Sequence, residues 1–321
     1  MGLLVFYILL RGEDLASIRG YLREVNYFYL ALGGLVAMFF IVGESINIRE
    51  LLTIFGYEIG LGKTLKYGFT GFFFSSITPS SAGGQPMQIY EMKKDNIELS
   101  HSSLVLLIEL VIYQFVTIIY GSISYIYART RGFIDSRIIN TMVILGIIIN
   151  LLVMSFILIS IFNPRISKSL CSFIARLLEK LPMKEDVRTR LLDSLDSQIG
   201  EYNKCSKYIL ENKSSLLRVF LVTILQIGSL FTVSYLVYLA LGFSERVFLE
   251  IIIIQSLIYI ISTFIPIPGS IGVSEGNFLS LFSRIYSRKF LKIGLVLTRG
   301  LSFYGLLLVS MVSLSLYRLM D

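Results

Sequence analysis

Long uncharged runs of apolar residues recur along the chain. Five of them are long enough to matter, at residues 27–43, 102–128, 138–162, 219–243 and 293–317. The only charged residues inside them are Glu109 and Arg299. A helix rises about 1.5 Å per residue, so about 20 residues cross a hydrocarbon layer about 30 Å thick. The pattern therefore predicts five membrane-spanning helices.

Two further apolar regions, residues 64–91 and 247–283, are interrupted by proline and glycine. Such breaks survive at membrane depth only where protein or a water-filled cavity satisfies the freed backbone groups. We therefore predict that both regions are re-entrant or broken helices. The breaking residues are Pro79, Gly83, Gly84 and Pro86 in the first region, and Pro266, Pro268, Gly269 and Gly272 in the second.

The two broken regions match each other in sequence. Pro268 and Gly272 each follow their counterparts, Pro79 and Gly83, by 189 positions, and Arg299 follows Glu109 by 190. Broken helices at matching positions in two halves indicate an inverted-repeat transporter fold with its site near the midplane. We expect half-repeats at about 27–128 and 219–317; a chance match of proline and glycine is the alternative. If the first broken region returns to the face from which it enters, the number of spans that follow it places the entry of the second region on the opposite face.

The whole chain, residues 1–321, is predicted to be one all-α membrane domain with about five to seven transmembrane helices. Residues 163–213 form its one sizeable polar region. Leucines at helical spacing there favour amphipathic helices on the bilayer surface, and a small polar hairpin is the other interpretation. Residues 3–10 are too short to span, so they are either the end of a truncated first helix or a half-span.

Composition excludes a soluble protein, and no enzyme signature is evident in the sequence. Hydrophobic residues make up 55% of the chain and charged residues 16%, whereas a soluble domain carries about 25% charge. The net charge of +7 suits anionic lipid headgroups, and no basic run predicts a nucleic-acid site. No metal-ligand spacing or catalytic motif occurs, so we expect no metal, no cofactor and no catalytic residue.

Glu109 and Arg299 are the first candidates for a polar site. A charged side chain at the bilayer centre costs about 2.5 to 3.5 kcal/mol, so such residues normally face the interior and pair. Because the two lie at equivalent depth in the two halves, we expect an ion pair or a shared polar cavity between them. A purely structural pair is the alternative. Arginine also suits two phosphate oxygens at once.

Small polar residues surround both breaks. Unwound backbone N–H groups and half-helix N-termini attract anions, and hydroxyls and amides suit a polar lipid headgroup. The alternative is that these side chains only satisfy broken backbone. Glu275 needs a cation, a proton or an ammonium group beside it. The candidates are Thr78, Ser80, Ser81, Gln85 and Gln88 around the first break, and Ser270 and Glu275 around the second.

The same motifs resemble a known family. Residues 78–90, residues 266–275 with Phe278, and Arg299 with Tyr304 are similar to the transmembrane domain of the lysylphosphatidylglycerol synthase and flippase family. The resemblance implies a multi-pass protein of the bacterial cytoplasmic membrane that moves lipids, typically aminoacylated phosphatidylglycerol, between leaflets. It also implies a link to resistance against cationic antimicrobial peptides, a part for Tyr304 in substrate binding and a cytoplasmic C-terminus.

Three features depart from that family, and the first is that its usual full first helix is reduced to residues 3–10. The chain ends at Asp321 without the cytosolic synthase domain, so lysyl transfer by this polypeptide alone is not expected, and a separate synthase is a candidate partner. Ser270 stands where many members have a second glycine. A homo-oligomer and contact with anionic or aminoacylated phospholipids are also expected, without nucleic acid.

The leading hypothesis is a lipid translocase. Arg299 would bind the phosphate, Glu109 or Glu275 an ammonium group, and the serine and glutamine cluster the glycerol. Two alternatives remain: a membrane component of a phosphatidylglycerol lysyltransferase, and a secondary transporter for a small polar solute.

Overall fold

The structure is a computed structural model that describes residues 25–134, 136–163, 208 and 211–320. All regular structure in these residues is helical, which confirms the predicted all-α class. The predictions for residues 3–10 and for most of the polar region 163–213 lie outside the described residues. In chain order the helices are α1 (Tyr27–Ile54), α2 (Leu61–Ile77), α3 (Gly84–Lys94), α4 (Leu99–Thr130), α5 (Arg137–Phe162), α6 (Lys213–Ala240), α7 (Phe248–Thr263), α8 (Val273–Phe282), α9 (Arg288–Arg299) and α10 (Leu306–Met320).

The five predicted spans are confirmed. Four of them are α1, α4, α5 and α6, and the fifth runs through α9 and α10, which a π-helical turn at Gly300–Gly305 joins. Each is long and apolar enough to cross a membrane. Large apolar side chains such as Leu152, Phe156 and Leu225 point outward and are exposed, as expected for a surface in contact with lipid. The chain is therefore a multi-pass membrane protein.

The two proline- and glycine-interrupted regions are re-entrant hairpins, as predicted. In the first hairpin, α2 has 17 residues and α3 has 11; in the second, α7 has 16 and α8 has 10. At about 1.5 Å per residue none of these helices reaches across a core about 30 Å thick. The helices of each hairpin meet at a short 3₁₀ turn, Pro79–Ser81 in the first and Pro268–Ser270 in the second.

Contacts at the helix ends show that the hairpins enter from opposite faces. At one face, called face A, Lys63 at the start of α2 pairs with Asp95 at the end of α3, and the Tyr317 hydroxyl donates to the carbonyl of Gly62. At the other, face B, the start of α1 meets the end of α6, because the Asn26 N–H donates to the carbonyl of Ala240. The spans α1 and α6 therefore run between face A and face B.

The second hairpin belongs to face B. Arg284, which follows α8, donates to the carbonyl of Gly132, which follows α4. The first hairpin thus starts and ends at face A and the second at face B. This is the inverted repeat that the matched motifs predicted.

Polar bonds between helices hold the bundle together. The Asn47 amide of α1 donates to Thr223 at 3.0 Å and to Gln226 at 3.2 Å, both on α6. On the other side, the Asn150 amide of α5 donates to Thr263 of α7 at 3.0 Å. Lipid tails are as apolar as the helices, so such bonds and close backbone contact replace the hydrophobic effect in holding the spans together.

Among the described glycines, the closest approach to the backbone of another helix occurs where α5 crosses α7. A β-carbon at Gly146 would lie only 2.6 Å from the carbonyl oxygen of Ile260, a backbone atom that cannot move aside easily.

We predict that Gly146→Ala destabilises the protein by about 1 to 3 kcal/mol, the usual cost of overpacking. Unfolding of the purified chain in detergent measures this. Gly62→Ala is the matched control, because nothing lies within 4 Å of its β-carbon position. Equal stability of both variants would show that α5 and α7 are less closely packed than described.

Candidate functional site

The two breaks meet in the interior of the bundle. The 3₁₀ turn of the first hairpin contacts that of the second, and α2 also packs on the second turn. Each turn lies at the inner end of its hairpin, away from the face through which that hairpin enters. Two segments of irregular backbone are therefore brought together between the membrane faces, which is where an inverted-repeat transporter places its site.

The first break satisfies its own backbone through Thr78. The Thr78 hydroxyl donates to the carbonyl of Phe74 at 2.6 Å and accepts from the N–H of Gly83 at 2.9 Å. Ser75 adds a long bond, 3.4 Å, to the carbonyl of Ser81. Thr78 therefore performs the structural role that was the alternative to headgroup binding.

The second break depends on a glycine. Gly269 has a φ of 59°, and a β-carbon there would lie 2.2 Å from the ring of Phe303. The next residue, Ser270, also has a positive φ, 52°, and its hydroxyl donates to the carbonyl of Ser262. Ser81, at the matching place in the first break, has a φ of 56°. The serine that replaces a second glycine thus keeps a left-handed geometry that both halves share, and it bonds to backbone.

Arg299 and Glu275 form the electrostatic centre of the site. The Nε of Arg299 donates to Oε1 of Glu275 at 2.8 Å, and Nη2 donates to the carbonyl of Gly269 at 2.9 Å. The other carboxylate oxygen of Glu275 accepts from the N–H of Gly272 at 2.6 Å. Only 13% of the arginine side chain and 5% of the glutamate side chain are exposed. One ion pair therefore joins the second break, α8 and α9.

Aromatic rings complete the surroundings of Arg299. Its guanidinium carbon lies 4.5 Å from the ring centre of Phe303 and 5.8 Å from that of Tyr304, within the range of cation–π attraction. Both rings belong to the π-helical turn that begins directly after Arg299. π-Helical turns inside α-helices are frequent at functional sites. Tyr304, which the resemblance included, is thus beside the arginine.

The predicted direct pair between Glu109 and Arg299 is wrong. Arg299 pairs with Glu275, which satisfies the need of that carboxylate for a cation. The reason is that α8, which carries Glu275, packs on α9, which carries Arg299. The arginine therefore pairs with an acid of its own half. Glu109 lies on α4 and is 8% exposed, and its electrostatic neighbour is Glu44 on α1.

Sequence reasoning missed Glu44. The first span was predicted to end at residue 43 because a charge follows, but α1 continues to Ile54. Ser45, Asn47 and Ile48, which follow Glu44, continue the helix and are buried. The Gln88 amide of α3 donates to Oε1 of Glu44 at 2.6 Å and to the carbonyl of Tyr67. Gln88, a predicted site residue, therefore ties the first hairpin to α1.

The remaining predicted residues lie around the breaks with different exposure. Gln85 is partly buried, and Pro79, Ser81, Pro86, Pro266 and Gly272 are exposed. The side chain of Ser80 lies outside the described residues. The structure thus gathers the break residues, Arg299, Glu275 and Tyr304 in one region, and gathers Gln88, Glu109 and Glu44 in a second one.

We predict that Arg299 and Glu275 are strongly coupled in stability. Removing one partner of a buried pair costs about 3 to 5 kcal/mol, because the other charge is left uncompensated. The variants Arg299→Ala and Glu275→Ala, measured singly and together by unfolding in detergent, should show a coupling energy of about 0.5 to 3 kcal/mol.

The surface pair of Glu50 and Arg218 is the matched control for this cycle. Its arginine side chain is 62% exposed, so we expect about 0 to 1 kcal/mol there. Additive losses at the buried pair, equal to those at the surface pair, would contradict the coupling.

Comparison with known proteins agrees with this architecture. The sequence profile described as the lysylphosphatidylglycerol synthase TM region matches residues 1–310. A UPF0104 membrane protein of Archaeoglobus fulgidus is 25% identical over 265 residues, which cover 82% of this chain and 78% of that protein. A UPF0104 membrane protein of Pyrococcus horikoshii is 23% identical over 276 residues, 83% and 76% of the two chains. The chain therefore belongs to the lysylphosphatidylglycerol synthase transmembrane-region family.

Proposed function

We propose that the chain moves a phospholipid headgroup between the two leaflets of the membrane. The observation that carries the proposal is the meeting of two re-entrant breaks that enter from opposite faces. Such a pair provides irregular backbone and polar side chains inside the membrane, reachable in principle from each side. Membership of the family supports a lipid as the substrate.

The ion pair at the breaks suits a headgroup that carries both a phosphate and an amine. A phosphate can replace Glu275 at the Nε of Arg299, because the guanidinium fork fits phosphate oxygens. That exchange would leave the Glu275 carboxylate alone, at a cost of several kcal/mol, unless a cation arrives with the phosphate. An ammonium group on the same headgroup supplies that cation, so both charges stay paired throughout.

The surface of the breaks supports access by such a headgroup. Ile77, Pro79 and Ser81 of the first break and Pro266 and Gly272 of the second are exposed. The acyl tails can then remain in the surrounding lipid while the polar part enters. Aminoacylated phosphatidylglycerol carries a phosphate and ammonium groups, so it is the proposed substrate, with anionic phosphatidylglycerol as the comparison.

Other parts of the proposal follow from the family. We place the protein in the bacterial cytoplasmic membrane, with a separate synthase as the supplier of aminoacylated lipid and a homo-oligomer as the assembly. Movement of this lipid to the outer leaflet lowers the negative surface charge, which is the proposed link to resistance against cationic peptides.

Leaflet-resolved lipid transfer in reconstituted vesicles tests the proposal. Vesicles contain the full chain and a labelled lipid in one leaflet: lysyl-phosphatidylglycerol, phosphatidylglycerol or phosphatidylethanolamine. We expect faster transfer of the lipids that carry an amine. Arg299→Ala should slow transfer about 10- to 100-fold, since a charge-assisted hydrogen bond contributes about 1.5 to 3 kcal/mol.

Two controls make the result decisive. Arg218→Ala removes an exposed arginine at face A and should leave transfer unchanged. Arg299→Lys keeps the charge without the fork and should recover only part of the rate. Transfer of none of the three lipids by folded protein would contradict the proposal and favour a transporter for a small polar solute. Undiminished transfer by Arg299→Ala would remove Arg299 from the site.

A further inference from the structure

Glu109 is a buried carboxylate that the proposed lipid site does not use. It is 8% exposed, and its side chain makes no hydrogen bond or ion pair with any residue that the structure describes. Its electrostatic neighbour is a second carboxylate, Glu44. An intramembrane acid normally meets a cation or a hydrogen-bond donor, because leaving it alone costs several kcal/mol.

Both carboxylates lie at the same depth. Glu44 is ten residues before the end of α1 at face A, and Glu109 is ten residues after the start of α4 at the same face. At about 1.5 Å per residue both lie about 15 Å from the helix ends at that face. Two ionised carboxylates that are electrostatic neighbours also repel each other.

The described side chains around the two acids are neutral: an amide and two hydroxyls. Of the helices packed on α4, α1 contributes Glu44 and α7 contributes Tyr259, while Tyr113 lies one turn along α4 itself. The hydroxyls of Tyr113 and Tyr259 are hydrogen-bonded to each other. Gln88 of α3 gives its amide hydrogen to Glu44, not to Glu109. Within the described part of the chain, no lysine, arginine or histidine forms an ion pair with either acid.

We propose that Glu44 and Glu109 form a binding site for one monovalent cation, a proton or a sodium ion, separate from the headgroup site. Carboxylate oxygens suit either ion, and one positive charge between them reduces the buried charge from two to one. Acidic residues within transporter spans serve this purpose in proton relays. The site goes beyond lipid movement, and its occupancy can be measured without any lipid being moved.

The site is also connected to the first hairpin. Gln88 bonds to Glu44 and belongs to α3, which follows the first break directly. A cation bound between the two acids would draw the Glu44 carboxylate toward Glu109. That carboxylate accepts the hydrogen bond from Gln88, so the bond that holds the hairpin to α1 would change. Occupancy of the site therefore acts on the position of the break through one hydrogen bond.

The test measures cation binding to the purified full chain in lipid nanodiscs. Infrared difference spectra report protonated carboxyl groups during a pH titration, and radioactive sodium reports the metal ion. Glu109→Gln and Glu44→Gln preserve side-chain shape and remove one charge each. We expect each variant to weaken binding at least about tenfold, because a single carboxylate attracts the cation less than two do. Glu50→Gln, on the same α1 but paired with Arg218 at face A, should bind as the unaltered chain does.

The possible outcomes distinguish a proton site from a sodium site, and both from the result that would overturn the proposal. A carboxyl band that titrates with pH and ignores sodium identifies a proton site; a band that sodium removes at constant pH, with saturable sodium binding, identifies a sodium site. Thermal unfolding confirms that the variants are folded. If folded Glu109→Gln and Glu44→Gln both retain the titrating band and the sodium binding of the unaltered chain, the proposal is overturned.

Discussion

Peptide groups in the hydrocarbon layer have no water to bond to, so every interruption of a helix there must supply its own partners. The protein meets this constraint twice, in different ways. At the first break one neutral hydroxyl, on Thr78, both donates and accepts. At the second, the carboxylate of Glu275 accepts from Gly272, and the guanidinium of Arg299 donates to Gly269. The second break thus places two charges in the membrane interior, and these charges neutralise each other by forming an ion pair.

The two halves therefore share a backbone plan and differ in electrostatics. In the second half, the ion pair between the hairpin and the following span is complete and nearly buried. In the first half the hairpin is tied to α1 by an amide, that of Gln88, and Glu109 is left beside Glu44. One half thus holds a buried ion pair, which is the proposed site for a headgroup with both charges. The other holds two neighbouring carboxylates, which is the proposed site for a cation.

The features that could be predicted from sequence are those encoded locally. Apolar length fixes the spans, and proline and glycine fix the breaks, because each acts through its own backbone. The repeat followed from the same residues. Glu44 was not predicted as part of a span, because its charge was interpreted as the end of the first span. A helix continues through a charge when another helix supplies a donor, as Gln88 does, and that donor lies 44 positions away in sequence. Likewise, the roles of Thr78 and Ser270 depend on which backbone groups at the breaks lack a hydrogen-bond partner within a helix.

The error over Glu109 and Arg299 shows what residue counting can and cannot determine. Counting at about 1.5 Å per residue gives depth along a helix, and Glu109 and Arg299 lie ten and eleven residues after the starts of α4 and α9. It does not give the direction in which a side chain points. A two-fold axis in the membrane plane relates equivalent residues but does not make them touch, so each finds its partner in its own half. At the offset of 189 that relates the two breaks, the counterpart of Glu275 is Pro86, an uncharged residue. Glu109 therefore lacks the counterpart that Arg299 has, and among the described residues its acidic neighbour is Glu44 of α1.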